Sequence, residues 1–368
     1  MKEELTKNPY SAFKILHHHD RIQKLKSGEH INPISVRLAL SDLCNHNCYF
    51  CTFRMENSFT NKMFGGTDSK GKFTLNPARF LSKEKSLEIV RDCADMGVKS
   101  IEFTGGGEPT VHPDHVEIFN EVLKNGMEFG LITNGMLFKN GFDDAVLKST
   151  WCRFSLDAGN AKTYSKVREV SESVFHRVLK NIKKLAKKRK KVGSNTTLGV
   201  SFIVTDENYS EIYEAAKIVS ELGVDYFRIG YFRTDEGFTA GDFEKSKELI
   251  NNAKKDFSRD DFAVLDRYTT SSKNMDGPPD YKFCGYQHVN TWIAADYNVY
   301  RCCVTSYDKH GLIGSLKDQS FKELWQSEEK KKRFDNFKAT SCVQCIYNDK
   351  NNAINFIVGK EPEHKNFI

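Results

Sequence analysis

Between residues 34 and 258, short runs rich in β-branched and aromatic residues alternate with amphipathic segments at helical spacing. This alternation limits the fold more than any other feature. The strand-like runs are 34–40, 100–105, 128–135, 152–157, 197–205 and 224–232, and the helical segments are 82–97, 113–126, 142–150, 172–191, 209–223 and 243–257. Several helical segments close on glycine, as helix C-termini do. Such alternation predicts an α/β fold with a parallel sheet and crossover helices. Six units predict an open, partial (β/α)6 barrel rather than a closed eight-fold one. Past residue 260 the pattern stops and the chain becomes rich in Cys, Tyr and Asn. The expected division is a helical N-terminal extension (1–33), the barrel (34–258) and a small Cys-rich domain (259–368). Residues 54–80, rich in Gly, Asn and Lys, interrupt the pattern. A lid over the site and a disordered insertion are equal readings of them.

No stretch approaches the roughly 18–20 apolar residues of a membrane span. The charged start MKEELTKNPYSAF lacks the apolar region of a secretory signal. A cytoplasmic protein without a membrane partner is therefore expected. In that compartment thiols stay reduced, so the ten cysteines read as metal ligands rather than disulfides. Cys44, Cys48 and Cys51 form a CxxxCxxC array directly after the first strand. Three thiolates can hold three irons of a [4Fe–4S] cube and leave the fourth open for chemistry, as three-ligand zinc sites leave an open position. Zinc is the competing reading. It needs a fourth ligand, and His46, inside the same tight loop, closes a tetrahedron poorly.

With Phe50 just before the last cysteine, this array resembles the signature of the radical S-adenosylmethionine (radical SAM) superfamily. The resemblance implies a SAM-binding [4Fe–4S] cluster on Cys44, Cys48 and Cys51, with Phe50 near the adenine. It implies reductive cleavage of SAM to a 5′-deoxyadenosyl radical that takes hydrogen from substrate carbon. The second strand ends in Thr104-Gly105-Gly106-Gly107-Glu108-Pro109, similar to the family's GGE motif. That likeness gives Gly106, Gly107 and Glu108 the SAM amino group. Polar residues at the carboxyl ends of parallel strands face a ligand crevice. Asn134, Ser155 and Asp157 lie there, and Ser155 and Asp157 resemble the family's contacts to the SAM ribose or carboxylate. Arg168 resembles an arginine that pairs with the SAM carboxylate, a task suited to a guanidinium fork.

A second array comprises Cys284, Cys302-Cys303 and Cys342-Val343-Gln344-Cys345. Four cysteines from distant segments suit a fully ligated cluster and suit zinc equally well. The stretch Asn298-Val299-Tyr300-Arg301-Cys302, the segment SFKELW (320–325) and the terminal CxxC resemble the auxiliary-cluster domains called SPASM or, when shortened, twitch. The resemblance implies one auxiliary [4Fe–4S] cluster on Cys284, Cys302, Cys342 and Cys345, with Cys303 as the alternative to Cys302. Tyr297 stands where that family usually has glycine. The expected partners are a peptide or small-molecule substrate, such as an amino sugar, and a reductant such as flavodoxin or ferredoxin. Net oxidation or crosslinking is the expected outcome. Modification of a nucleotide or nucleic acid is the second reading, motivated by the lysine-rich loop and the basic run at 183–193. It is not favoured: the formal charge of +6 falls to about +3 once two thiolate-ligated clusters are counted. The run also shares its helix with an apolar stripe of Val174, Val178, Ile182 and Leu185. A non-enzymatic zinc-binding interaction protein is the reading from a different class.

Overall fold

A computed structural model describes residues 10–53, 66–67, 73–74, 79–231, 233–234, 237–238, 241–270, 277–361 and 363. The expectations for residues 54–80 fall almost entirely outside the described residues. Six strands form where the apolar runs lie: β1 (Ser35–Ala39), β2 (Ser100–Thr104), β3 (Glu128–Thr133), β4 (Trp151–Ser155), β5 (Thr197–Val204) and β6 (Tyr226–Tyr231). They pair in parallel and in chain order.

The sheet then continues past the sixth strand at both ends. β7 (Ala263–Asp266) pairs in parallel with β6, and β8 (Asn290–Ile293) pairs in parallel with β1. β9 (Asn298–Tyr300) and β10 (Leu312–Ser315) add antiparallel, giving the ten-strand order β7-β6-β5-β4-β3-β2-β1-β8-β9-β10. One sheet thus crosses the expected boundary near 258. An open parallel sheet ends in two rows of unpaired backbone groups, and the C-terminal region supplies a strand to each.

Among the described residues the α-helices of five or more residues are α1 (His19–Lys26), α2 (Lys83–Asp95), α3 (His115–Lys124), α4 (Phe142–Val146), α5 (Ala161–Arg168), α6 (Glu172–Val192), α7 (Ile212–Ser220), α8 (Phe243–Phe257), α9 (Phe321–Gln326), α10 (Glu328–Asp335) and α11 (Asn348–Val358). Local chemistry sets their ends. The Ser82 hydroxyl accepts from the Lys85 N–H at the start of α2, and Gly193, at φ 65°, closes α6. On α6 the stripe of Val174, Val178, Ile182 and Leu185 is buried, and two of the lysines pair outward, Lys184 with Asp143 and Lys188 with Asp144. The segment 320–335 forms two helices rather than one, because Ser327 is extended (φ −69°, ψ 149°) and caps α10. Among the described residues no helix is long and apolar enough to cross a membrane.

The period of two along each strand decides where the site lies. In β4, Cys152 and Phe154 pack into the core that also takes Phe103, Leu131, Phe202 and Phe227. Trp151, Arg153 and Ser155 line the interior cavity instead. Cys93 and Cys152, which belong to neither cysteine array, are both fully buried in that core.

Candidate functional site

The loop after β1 carries Cys44, Cys48 and Cys51 to the rim of a cavity of about 1180 Å³. The turn is held by the Cys51 N–H donating to the Cys48 carbonyl (3.1 Å) and the Asn47 N–H donating to the Arg168 carbonyl (3.1 Å). The glycine segment after β2 lies directly on this loop. The Gly107 N–H donates to the Ser41 carbonyl (2.9 Å), and the Glu108 N–H donates to the Leu43 carbonyl (3.0 Å). A Cβ at Gly107 would sit 2.2 Å from the Leu43 oxygen, so only glycine allows this approach.

Every SAM-contact residue expected from the sequence lines this same cavity: Phe50, Gly106, Gly107, Glu108, Asn134, Ser155, Asp157 and Arg168. Their local roles differ. The Glu108 carboxylate is 3% exposed and accepts from Thr110 Oγ1 (2.7 Å), Thr133 Oγ1 (2.6 Å) and the Asn134 N–H (2.7 Å). It ties the ends of β2 and β3 together, and burial raises its pKa against those hydrogen bonds. Asn134 Nδ2 donates to Asn45 Oδ1 (2.7 Å) inside the cysteine loop. Asp157, at φ 59°, pairs with Arg168 and accepts from the Ile203 N–H (2.7 Å). The Arg168 guanidinium also donates to the Cys48 sulfur (3.4 Å) and lies over the Phe50 ring (5.8 Å).

The second cysteine array separates cleanly. Cys284, Cys302, Cys342 and Cys345 line one small cavity together with Arg301 and Tyr281. Cys303 lines the large cavity instead, where its sulfur accepts from Arg37 Nη1 (3.2 Å) and lies 2.9 Å from Tyr347 Oη. Tyr347 and Val304 line both cavities and form the wall between them. Burial pushes the Cys284 thiol up to about 12 and the Cys342 thiol up to about 11. Tyr297, the departure from glycine, holds the left-handed conformation (φ 67°) that glycine adopts freely. Its hydroxyl accepts from the Ser82 N–H at the start of α2 (3.0 Å), so the β8–β9 turn is fastened to a barrel helix.

The donor sets fit iron–sulfur clusters. Among the described residues no group of three or more His, Cys, Asp or Glu is arranged to hold a metal ion. Thiolates of a cube each bind a different iron, so they surround a volume rather than a point. The three-thiol loop has cavity beside it and glycine backbone across from it, which leaves room for a ligand of a fourth iron. The four-thiol cavity has the complete thiolate set that a closed cluster requires, and the Arg301 guanidinium lies beside it.

Sequence reasoning missed a second group inside the barrel. Arg37, Glu102, Arg153 and Arg228 all face the cavity from strands, and Arg267 joins them just after β7. The signal was present: each of the four strand residues is a charged residue flanked by apolar ones within a short β run.

Residues 38–219 match the radical SAM superfamily, and residues 284–346 match the SPASM iron–sulfur cluster-binding domain. A tungsten-containing aldehyde ferredoxin oxidoreductase cofactor-modifying protein of Pyrococcus furiosus is 37% identical over 131 residues, covering 35% of this chain and 36% of that protein. An S-adenosylmethionine-dependent nucleotide dehydratase of Flammeovirga pacifica is 31% identical over 156 residues, covering 42% and 48%. The chain thus spans between a third and a half of these two relatives. A probable GTP 3′,8-cyclase of Metallosphaera sedula is 27% identical over 249 residues, covering 64% and 69%. In fold, Streptococcus suis SuiB bound to its precursor peptide SuiA superposes with a TM-score of 0.62 at 17% identity, over 95% of this chain and 79% of that one. The cofactors of this class are a [4Fe–4S] cluster and SAM, with further iron–sulfur ligation in the SPASM domain. Two matched regions in order, each with its cysteines gathered at a cavity, place this chain in the radical SAM superfamily, with a C-terminal SPASM domain.

Proposed function

We propose that this protein reductively cleaves SAM at the Cys44–Cys48–Cys51 loop and uses the resulting radical to take hydrogen from a peptide or small molecule held in the barrel. The observation that carries the reading is that one cavity gathers the three thiols, the glycine segment and the carboxyl ends of β2, β3 and β4. When bound, the cluster and SAM supply one-electron cleavage of a sulfonium C–S bond, chemistry that no side chain performs.

The chain's own residues do the placing. Arg168 is fixed by Asp157 and reaches the Cys48 sulfur, so one guanidinium serves both the cysteine loop and a ligand carboxylate. Phe50 offers an apolar face beside it, and the glycine backbone from Gly105 to Gly107 offers close approach without side chains. The wall of Tyr347 and Val304 puts the four-thiol cavity next to the substrate space. An acceptor there supports net two-electron oxidation, in which the substrate loses a hydrogen atom and then an electron and a proton. Flavodoxin or ferredoxin would supply the reducing electron, and a reducing cytoplasm suits ten thiols.

The test is anaerobic reconstitution with iron and sulfide, then incubation with SAM and a strong reductant. 5′-Deoxyadenosine is expected from the wild type and not from Cys48→Ala. Equal product from both would end the proposal.

A further inference from the structure

The N-terminal segment sends one ring into the barrel. Tyr10 lines the same cavity as the cysteine loop, and three guanidinium groups meet it there. Arg228 of β6 and Arg267 just after β7 lie 5.4 and 5.1 Å from its ring centroid, and Arg153 of β4 donates to its hydroxyl through Nη1 (3.4 Å). Arg153 lies in turn over the Trp151 ring (5.7 Å), so rings and guanidinium groups alternate across the lumen. Glu102 and Tyr226 also face Arg153, so its charge is met within the protein. What the group offers a ligand is flat cationic surface. Out of water, such surface attracts the negative face of an aromatic ring.

The strands are opened for such layers. A Cβ at Gly130 would meet the Trp151 ring at 2.2 Å, and one at Gly199 would meet the Tyr226 ring at 2.0 Å. Two glycines thus let two large rings lie across the lumen. On β4, Arg153 precedes Ser155 by two residues and lines the same cavity. It therefore grips the Tyr10 hydroxyl roughly 7 Å along the strand from the end that faces the cysteine loop.

The segment that carries Tyr10 is one a ligand can displace. The residues after it form a short 3-10 helix (Ala12–His18) in which none is buried. Phe13 is 63% exposed and Leu16 53%. Its start is held locally, by the Phe13 N–H donating to Ser11 Oγ (3.2 Å). Burial resumes only on α1, with Ile22 and Leu25. Segments with few buried apolar groups open at little cost. The cavity volume of about 1180 Å³ exceeds the roughly 300–1,000 Å³ usual for one small ligand, which leaves space beside SAM. We propose that Arg153, Arg228 and Arg267 form the subsite for an aromatic ring of the substrate, and that Tyr10 fills it until that ring displaces it. That the incoming ligand is a substrate rests on the radical SAM reading above; the ring site itself does not.

The probe is N-acetyl-L-tyrosinamide, measured by equilibrium dialysis against the reconstituted full chain, with N-acetyl-L-leucinamide as its aliphatic counterpart. Tyr10→Ala empties the subsite and should bind the tyrosine probe about tenfold more tightly than the wild type does. Tyr10→Phe keeps a ring in place and should bind it as weakly as the wild type. Adding Arg267→Gln to Tyr10→Ala should remove most of the gain. Phe13→Ala, on the exposed part of the same segment, should leave the wild-type affinity unchanged. The leucine probe should show no gain in Tyr10→Ala. An unchanged affinity in Tyr10→Ala, an equal gain for the leucine probe, an equal gain in Phe13→Ala, or a gain that survives Arg267→Gln would overturn the proposal. 5′-Deoxyadenosine formation on the same wild-type preparation separates the two claims. Its absence alongside the Tyr10→Ala gain removes the radical reading alone; its presence without that gain removes the ring subsite alone.

Discussion

Gly107→Ala tests whether the glycine segment positions the cysteine loop. The added Cβ would stand 2.2 Å from the Leu43 oxygen and 2.6 Å from the Leu43 and Asp42 carbonyl carbons, where contacts below 3.0 Å essentially do not occur. All three atoms are backbone, so no rotamer change relieves the clash. The Leu43 carbonyl must retreat by nearly the difference, close to 1 Å, and Cys44 is the next residue. Two hydrogen bonds to the same loop, from the Gly107 and Glu108 N–H groups, stretch with it, at about 1 kcal/mol each. A displacement of ~1 Å in a positioning element costs on the order of 100-fold in rate. The assay is the initial rate of 5′-deoxyadenosine formation under anaerobic reduction, with thermal melting to show that the variant is folded. Gly277→Ala is the control, because its Cβ meets nothing within 4 Å and its φ is ordinary. A wild-type rate in Gly107→Ala, or an equal loss in Gly277→Ala, would refute the contact.

Other outcomes follow from the same structure. Arg168→Met strands the buried Asp157 carboxylate and should cost about 3–5 kcal/mol in urea unfolding, whereas a change within ~1 kcal/mol would show the pair is dispensable. Cys302→Ser should lose about four irons per chain and Cys303→Ser none, measured by iron content and Mössbauer spectroscopy. Burial, then Lys330, lowers His288 to about 3 in the folded protein. The unfolded chain therefore takes up the proton first as pH falls through 6.5. The stability contributed above that pH is lost progressively toward 3, roughly 1.5 kcal/mol of it by pH 5.5. Unfolding at pH 7.5 and 5.5 should show that difference in the wild type and lose it in His288→Phe.

The barrel was legible because each strand and each crossover helix is a local pattern. Phe243–Phe257 has its sequence-expected limits, and the six strands lie within a residue or two of theirs. The edges of the sheet were not legible. β7 is a four-residue run beyond the point where the alternation stops, although α8 crosses over to it from β6, and β8 is a four-residue run whose partner β1 lies 255 residues earlier. The break at Ser327 was hidden because the charged residues on both sides favour helix equally. In the site, the strand-end residues could be placed because order along the chain equals order across a parallel sheet. Which of Cys302 and Cys303 meets the other thiols depends on how the chain leaves β9, a matter of tertiary packing rather than spacing. The interior arginines escaped because Arg153 and Arg228 lie on β4 and β6 and Arg267 just after β7, and they become neighbours only round Tyr10.

The pairing of β1 with β8 has a consequence for synthesis. Ser35 and Asn290 are 255 residues apart, yet β1 is the strand that delivers the cysteine loop. While the chain emerges from the ribosome, that strand has β2 on one side and bare backbone on the other until some 255 further residues have been made. An exposed strand edge invites pairing with other chains, and late-closing contacts of this kind slow folding. A chain that terminates prematurely, before β8, keeps its three N-terminal cysteines but holds them on an open edge. The C-terminal region is therefore a completion step for the first cluster's scaffold as well as the bearer of the second.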